Sequence, residues 1–119
     1  MKTIVLGTSS NSQKYSYRAV EMLLEYGHEV IPVHSSGKEV CGVKTVRSLK
    51  DVTLPVHTIT LYLGSANSAP LHEEIFAFQP TRIIFNPGAE SSELLRSAED
   101  QGIETVVGCT LVMLRTHNF

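Results

Sequence analysis

Ile4-Val5-Leu6-Gly7-Thr8-Ser9-Ser10-Asn11-Ser12-Gln13-Lys14-Tyr15-Ser16 is the stretch that decides how the rest of the chain is read. It begins in a β-branched, apolar run of the kind buried on both faces of a parallel sheet. It passes through a glycine that permits a tight exit and ends where a helical pattern starts. Between them lie small hydroxyl and amide side chains and one cation, Lys14. Two readings fit the ten residues Gly7–Ser16. One is a phosphate-holding turn, in which free N–H groups of a helix start point at an anion. The other is an ordinary polar strand-to-helix loop, since such loops are commonly rich in Ser, Asn and Gly.

The downstream pattern repeats this unit. Residues 2–6, 29–33, 58–63, 82–85 and 104–107 read as short strands. Residues 16–26, about 68–80 and about 92–101 carry apolar side chains at three-to-four spacing and read as helices. Ser16 is the expected N-cap of the first helix and Gly27 its C′ residue. Pro70 falls in the first turn of the second helix. Pro32 puts the end of the second strand at a sheet margin, because it cannot donate a ladder hydrogen bond. Residues 42–46 suggest an extended piece, residues 48–52 one helical turn capped by Ser48, and residues 111–114 an apolar segment that caps the sheet or meets a partner subunit.

Alternation of this kind predicts an α/β fold, a parallel sheet of about five strands with helices on both faces. With 119 residues, one domain spanning 1–119 is expected. The strand ends Gly7-Thr8-Ser9, His34-Ser35, Gly64-Ser65, Asn86-Pro87-Gly88 and Gly108-Cys109 are all small, polar or turn-forming. They converge on one rim, where such sheets bind ligands.

Composition narrows the partners. Ten Lys and Arg stand against twelve Asp and Glu, a formal net charge of −2, so no broad basic field points to nucleic acid or an anionic membrane. No apolar run approaches the about 20 residues of a membrane helix. Cys41 and Cys109 form no C-x-x-C pair and no secretory leader is legible, which favours a reducing cytoplasm. The five histidines show no metal-ligand spacing, and His28 and His72 read as surface residues. Glu73, Glu74, Glu93, Glu99 and Asp100 read as solvated helix charge, which leaves no acid–base pair for catalysis.

A nicotinamide dinucleotide needs the G-x-G-x-x-G fingerprint, but Ser9 and Ser12 stand where its later glycines belong. The acidic residue expected after the second strand is also missing from Val33-His34-Ser35-Ser36-Gly37-Lys38, where a basic residue suits a phosphorylated ribose instead. The P-loop lysine motif is absent.

Taken together, the sequence resembles the small CoA-binding proteins related to the CoA-binding domain of succinyl-CoA synthetase α subunits. The resemblance rests on residues 7–16, on Gly27-His28-Glu29-Val30-Ile31-Pro32-Val33, on Ser48-Leu49-Lys50-Asp51, on Phe85-Asn86-Pro87-Gly88-Ala89-Glu90 and on Cys109-Thr110-Leu111. It covers nearly the whole chain and implies a Rossmann-like domain that binds coenzyme A or an acyl-CoA. It further implies Gly7, Ser9, Ser10, Asn11, Ser12, Lys14 and Ser16 at the pyrophosphate, Val33, His34 and Lys38 at the adenosine end, and Asn86, Pro87 and Gly88 along the pantetheine arm. Ser12 stands where relatives often have Pro, and His34-Ser35 where they often have Asn-Pro. The ligase relatives use a phosphohistidine from a second domain that a chain of this length does not hold. The expected function is therefore CoA binding without chemistry. Two alternatives stay open: an NAD(P)- or acyl-CoA-using enzyme subunit completed by a partner chain, and an interaction module with a vestigial cleft. Cys109 reads either as a small buried residue or as a thiol near the CoA sulfur.

Overall fold

A computed structural model of the chain describes residues 2–53 and 55–119. The strands β1 (Lys2–Leu6), β2 (Glu29–Val33), β3 (Thr58–Leu61), β4 (Arg82–Phe85) and β5 (Glu104–Val107) form one sheet in the order β2-β1-β3-β4-β5. Every pairing is parallel. Helices α1 (Tyr15–Glu25), α2 (Ser65–Ser68), α3 (His72–Ala77), α4 (Ser92–Asp100) and α5 (Thr110–Arg115) join or follow the strands, with 3₁₀ turns at Leu49–Asp51 and Ala69–Leu71. The expected α/β parallel sheet with helices on both faces is what the chain forms.

Side chains alternate across the sheet and so build two cores. Ile4, Leu6, Ile59, Leu61, Ile83 and Phe85 face one side, where Ile75 of α3 and Leu94 and Ala98 of α4 cover them. Val5 and Val30 face the other side, against Val20 and Leu23 of α1 and Leu114 of α5. Leu23 is wholly buried, and burial of a leucine side chain is worth about 2 kcal/mol. The stretch 111–114 thus lies within α5 and covers the sheet, with Leu111 and Leu114 buried.

β3 ends at Leu61 instead of residue 63, and two helix starts differ from the sequence expectation for identifiable reasons. The first helix begins at Tyr15, not Ser16, with Lys14 at the N-cap position and no side-chain cap bond. Ser16 lies inside the first turn, where its hydroxyl is used elsewhere. The second helical region starts earlier, at Ser65, and is broken into α2, a 3₁₀ turn and α3, because Pro70 removes a donor and crowds the preceding turn. The stop of α1 is as expected: Gly27 has φ +83°, its N–H donates to Leu24 O, and His28 N–H donates to Leu23 O.

β2 is an edge strand, as Pro32 implies. The Pro32 carbonyl accepts from Val46 N–H at 2.9 Å, and His34 N–H donates to Val46 O at 2.9 Å. The missing Pro32 donor therefore faces outward, away from β1. The expected extended piece at 42–46 is reduced to isolated bridges, Val33 with Val46 and Val40 with Val43. The 3₁₀ turn at Leu49–Asp51 is capped by Ser48 Oγ, as expected.

Candidate functional site

The loop after β1 is organised by its own side chains. Val33 O accepts from both Gly7 N–H (3.0 Å) and Thr8 N–H (3.2 Å), which ties the loop to the end of β2. Thr8 is buried and its hydroxyl donates to Val5 O at 2.6 Å. Ser16 Oγ accepts from Ser9 N–H at 2.9 Å, Ser9 Oγ from Asn11 N–H at 3.0 Å, and Asn11 Oδ1 from Gln13 N–H at 3.0 Å. Lys14 N–H closes the turn on Asn11 O at 3.0 Å. Ser9, Asn11 and Ser16 are thus braces of the loop. The Ser10, Ser12 and Lys14 side chains stand exposed. The first turn of α1 leaves the N–H groups of Tyr15, Ser16 and Tyr17 without intrahelical partners and with no side-chain cap, a partial positive charge at the loop.

Gly7 has a reason to be glycine. Its φ is +91°, and a Cβ there would lie 2.8 Å from Leu63 Cδ2 and 3.2 Å from the Tyr62 carbonyl carbon. The chain leaving β3 passes directly over the loop.

A cleft of about 270 Å³ opens at the carboxyl ends of β1, β2 and β3, where the strand order reverses. Leu6, Val33, Leu49, Leu63 and Leu71 give it apolar walls, while His34, Arg47, Asn67 and Glu74 supply polar groups at its margins. His34 is half-buried, and its Nδ1 accepts from Ser36 N–H at 3.0 Å. That bond fixes the tautomer and leaves Nε2–H as a donor. The Lys38 side chain is exposed and does not line the cleft. Arg47 does, and sequence reasoning missed it because it lies on an irregular segment, held beside β2 by the Val46 bridge. Glu74 also departs from expectation: its side chain is 27% exposed, and Lys50 lies 3.7 Å away. His28 and His72 are both half-buried, against the surface positions expected of them.

Past β4 the rim has a different character. Asn86 is 1% exposed. Its Nδ2 donates to Thr60 Oγ1 (2.7 Å) and Leu61 O (2.9 Å), while its Oδ1 accepts from Thr110 N–H at 2.9 Å. Thr60 and Thr110 share a 2.6 Å hydroxyl contact. One side chain thus ties β3, the end of β4 and the start of α5. Pro87 and Gly88 are exposed on the rim itself, and Gly88 N–H donates to Glu90 Oε1 at 2.9 Å. Tyr62, beside this network, has its hydroxyl pushed up to about 12, chiefly by burial. Cys109, the residue before α5, is a half-buried free thiol.

The opposite end of the sheet is closed. The Arg82 guanidinium lies 4.4 Å over the Phe119 ring, and the His28 ring is 4.9 Å from the same phenyl group. Among the described residues no group of His, Cys, Asp and Glu is placed to hold a metal ion, and no helix is long and apolar enough to cross a membrane.

A five-stranded parallel sheet in this order, covered on both faces and carrying a cleft at the point where the order reverses, is a Rossmann-like α/β fold. Residues 1–115 match the CoA binding domain family, and the chain belongs to it. A crystal structure of an uncharacterised protein is 39% identical with a TM-score of 0.94, covering 99% of this chain and 97% of that one. The Bacillus subtilis (strain 168) protein YneT is 24% identical over 98 residues, which is 82% of this chain and 73% of that protein. The fold also matches part of the dinucleotide forming acetyl-coenzyme A synthetase 1 of Ca. Korarchaeum cryptofilum, with a TM-score of 0.74 and 19% identity. That match takes in 90% of this chain and 25% of the synthetase.

Proposed function

We propose that this chain, as one domain of residues 1–119 in a reducing cytoplasm, binds coenzyme A or an acyl-CoA and performs no chemistry on it alone. The observation that carries this reading is the adjacency of the apolar cleft to the uncapped start of α1, with Gly7 and Val33 shared between them. An adenine ring suits the Leu6, Val33, Leu49 and Leu63 walls, and a pyrophosphate suits the free N–H groups of Tyr15, Ser16 and Tyr17. Lys14 and the Ser10 and Ser12 hydroxyls add charge-assisted hydrogen bonds from the exposed side of the loop. The pantetheine arm then runs over the Pro87-Gly88 turn. Asn86 acts from behind that turn as a positioning residue, since its amide is fully used inside the protein.

Thermal-shift measurements against CoA, acetyl-CoA, NAD, NADP and ATP test this directly. A ligand at 100 times its dissociation constant raises stability by about 2.7 kcal/mol, and the CoA species alone are expected to do so. A shift with NAD or NADP and none with CoA favours the enzyme-subunit reading. No shift with any of the five favours an interaction module.

A further inference from the structure

The two edges of the sheet are finished differently. Outside β2 the ladder is closed: Pro32 carries no donor, its carbonyl accepts from Val46 N–H, and His34 N–H donates to Val46 O. Outside β5 no further strand of the sheet follows. Glu104 N–H donates to Thr81 O and Gly108 N–H to Phe85 O. In a parallel ladder of that phase, residues 104, 106 and 108 turn their backbone groups toward β4, and Thr105 and Val107 turn theirs outward. Natural edges are commonly guarded by a lysine, a proline or a bulge. β5 contains neither residue, and its register with β4 is unbroken. Val107 is 62% exposed, and beside it lies a hollow of about 170 Å³ whose lining includes Phe85 and Leu95.

We propose that this edge pairs with the same edge of a second copy of the chain, antiparallel about a two-fold axis at Val106, so that two sheets become one continuous sheet. In that register Thr105 faces the second copy's Val107, and each such pair exchanges both of its N–H···O bonds. The outward groups of residues 105 and 107 are then all satisfied, on both copies, as the isologous symmetry requires. Glu104 is the only charged residue of β5. It falls opposite Gly108 and not opposite itself, so no like charges meet across the seam. Val106 meets Val106, while Val107 covers Thr105 on the face they share with Ile83 and Phe85. The edge is thus its own complement in length, hydrogen-bond phase and charge, which commits the occupant to a second copy. A four-residue seam is small, so the dimer is weak and concentration-dependent. The cleft at the ends of β1, β2 and β3 stays open, because β4 and β5 separate β3 from the seam. The antiparallel join places the two clefts on opposite margins of the joined sheet, and the pairing is independent of what those clefts bind.

Analytical ultracentrifugation of the full chain from micromolar to millimolar concentration provides the test, with Val107→Lys and Thr105→Pro as variants and amide hydrogen exchange as the local readout. Val107→Lys puts a cation on each side of the seam. Thr105→Pro removes an outward donor and none that β4 uses. Both variants are expected to weaken the dimer about tenfold or more, since each loss is felt twice across the two-fold axis. The Thr105 and Val107 amides should exchange fast in dilute protein and become protected as the dimer fills. Val107→Lys should melt with the parent at low concentration, and it decides the matter alone where Thr105→Pro fails to fold. A chain that stays monomeric throughout overturns the proposal. So does a dimer that Val107→Lys leaves intact, or one in which both amides still exchange freely, because that dimer uses another face. Protection that arises only when an unrelated extended peptide is added to a monomeric chain overturns it in favour of a foreign strand.

Discussion

Ser16 Oγ, one residue into α1, accepts a 2.9 Å hydrogen bond from the N–H of Ser9, seven residues earlier. The bond folds the loop after β1 back onto the helix it precedes, and Ser16 is 5% exposed, so water does not replace it readily. Ser16→Ala leaves the Ser9 donor without its acceptor. We expect a stability loss of about 1 kcal/mol, read by urea denaturation, with a parallel fall in CoA affinity. Intact affinity in a destabilised variant would show that the brace serves folding only.

Gly7 and Gly27 both have positive φ but differ in their surroundings, which makes them a matched pair. Alanine at Gly27 meets nothing within 4 Å, and the strained backbone alone costs about 1–2 kcal/mol. Alanine at Gly7 adds a collision with Leu63 and the Tyr62 backbone, for a total of about 3 kcal/mol or more. Equilibrium unfolding of the two variants should rank them in that order.

Replacing Asn86 by leucine removes a side chain that makes three hydrogen bonds and leaves the Thr110 N–H buried without a partner. A loss of at least roughly 2 kcal/mol is expected. Hydrogen exchange should show early opening at the start of α5, and an unaltered exchange pattern there would refute the strap.

The Lys14 side chain is exposed. Lys14→Ala should leave the melting temperature unchanged and weaken CoA binding by about 1 kcal/mol or more, with a smaller salt dependence. Unchanged affinity in calorimetry removes Lys14 from the phosphate site.

Tyr62 gives a prediction in pH. Its folded-state value, about 12, lies above the ordinary tyrosine value of 10.0. The folded protein therefore holds this proton more tightly than the unfolded chain does. The resulting stability is fully present below about pH 10 and is lost as the pH rises toward 12. Spectrophotometric titration should show one tyrosine ionising last, and Tyr62→Phe should abolish that step. The buried hydroxyl has no partner with hydrogen-bond geometry, so the variant should be no less stable than the parent at neutral pH.

The sheet was readable because its strands are short, β-branched and punctuated by glycine or proline; β1, β2, β4 and β5 fall where the sequence places them. β3 stops two residues early because Leu63 turns to cover Gly7, a contact with no local signature. The N-cap at Ser16 was misplaced because the hydroxyl faces back to Ser9, and sequence spacing does not show which N–H a serine will accept from. The Ser/Asn/Lys composition of the loop was visible, but which of those side chains brace it and which stand free depends on its folded path. Arg47 was invisible for a related reason: its place at the cleft follows from one bridge between Val33 and Val46, made by a segment without periodicity.

That bridge has a consequence for how such a domain can diversify. The wall carrying Lys44 and Arg47 hangs outside an edge strand and is tied to it by two backbone hydrogen bonds to Val46. Exposed side chains of this segment, Lys38, Lys44 and Arg47 among them, can therefore change length, charge or shape without disturbing a strand pairing, whereas Val40 and Val46 pack on the two cores. Surface charge and foldability are separately mutable at those exposed positions, so the chemistry of this wall can change while the frame beneath it stays the same.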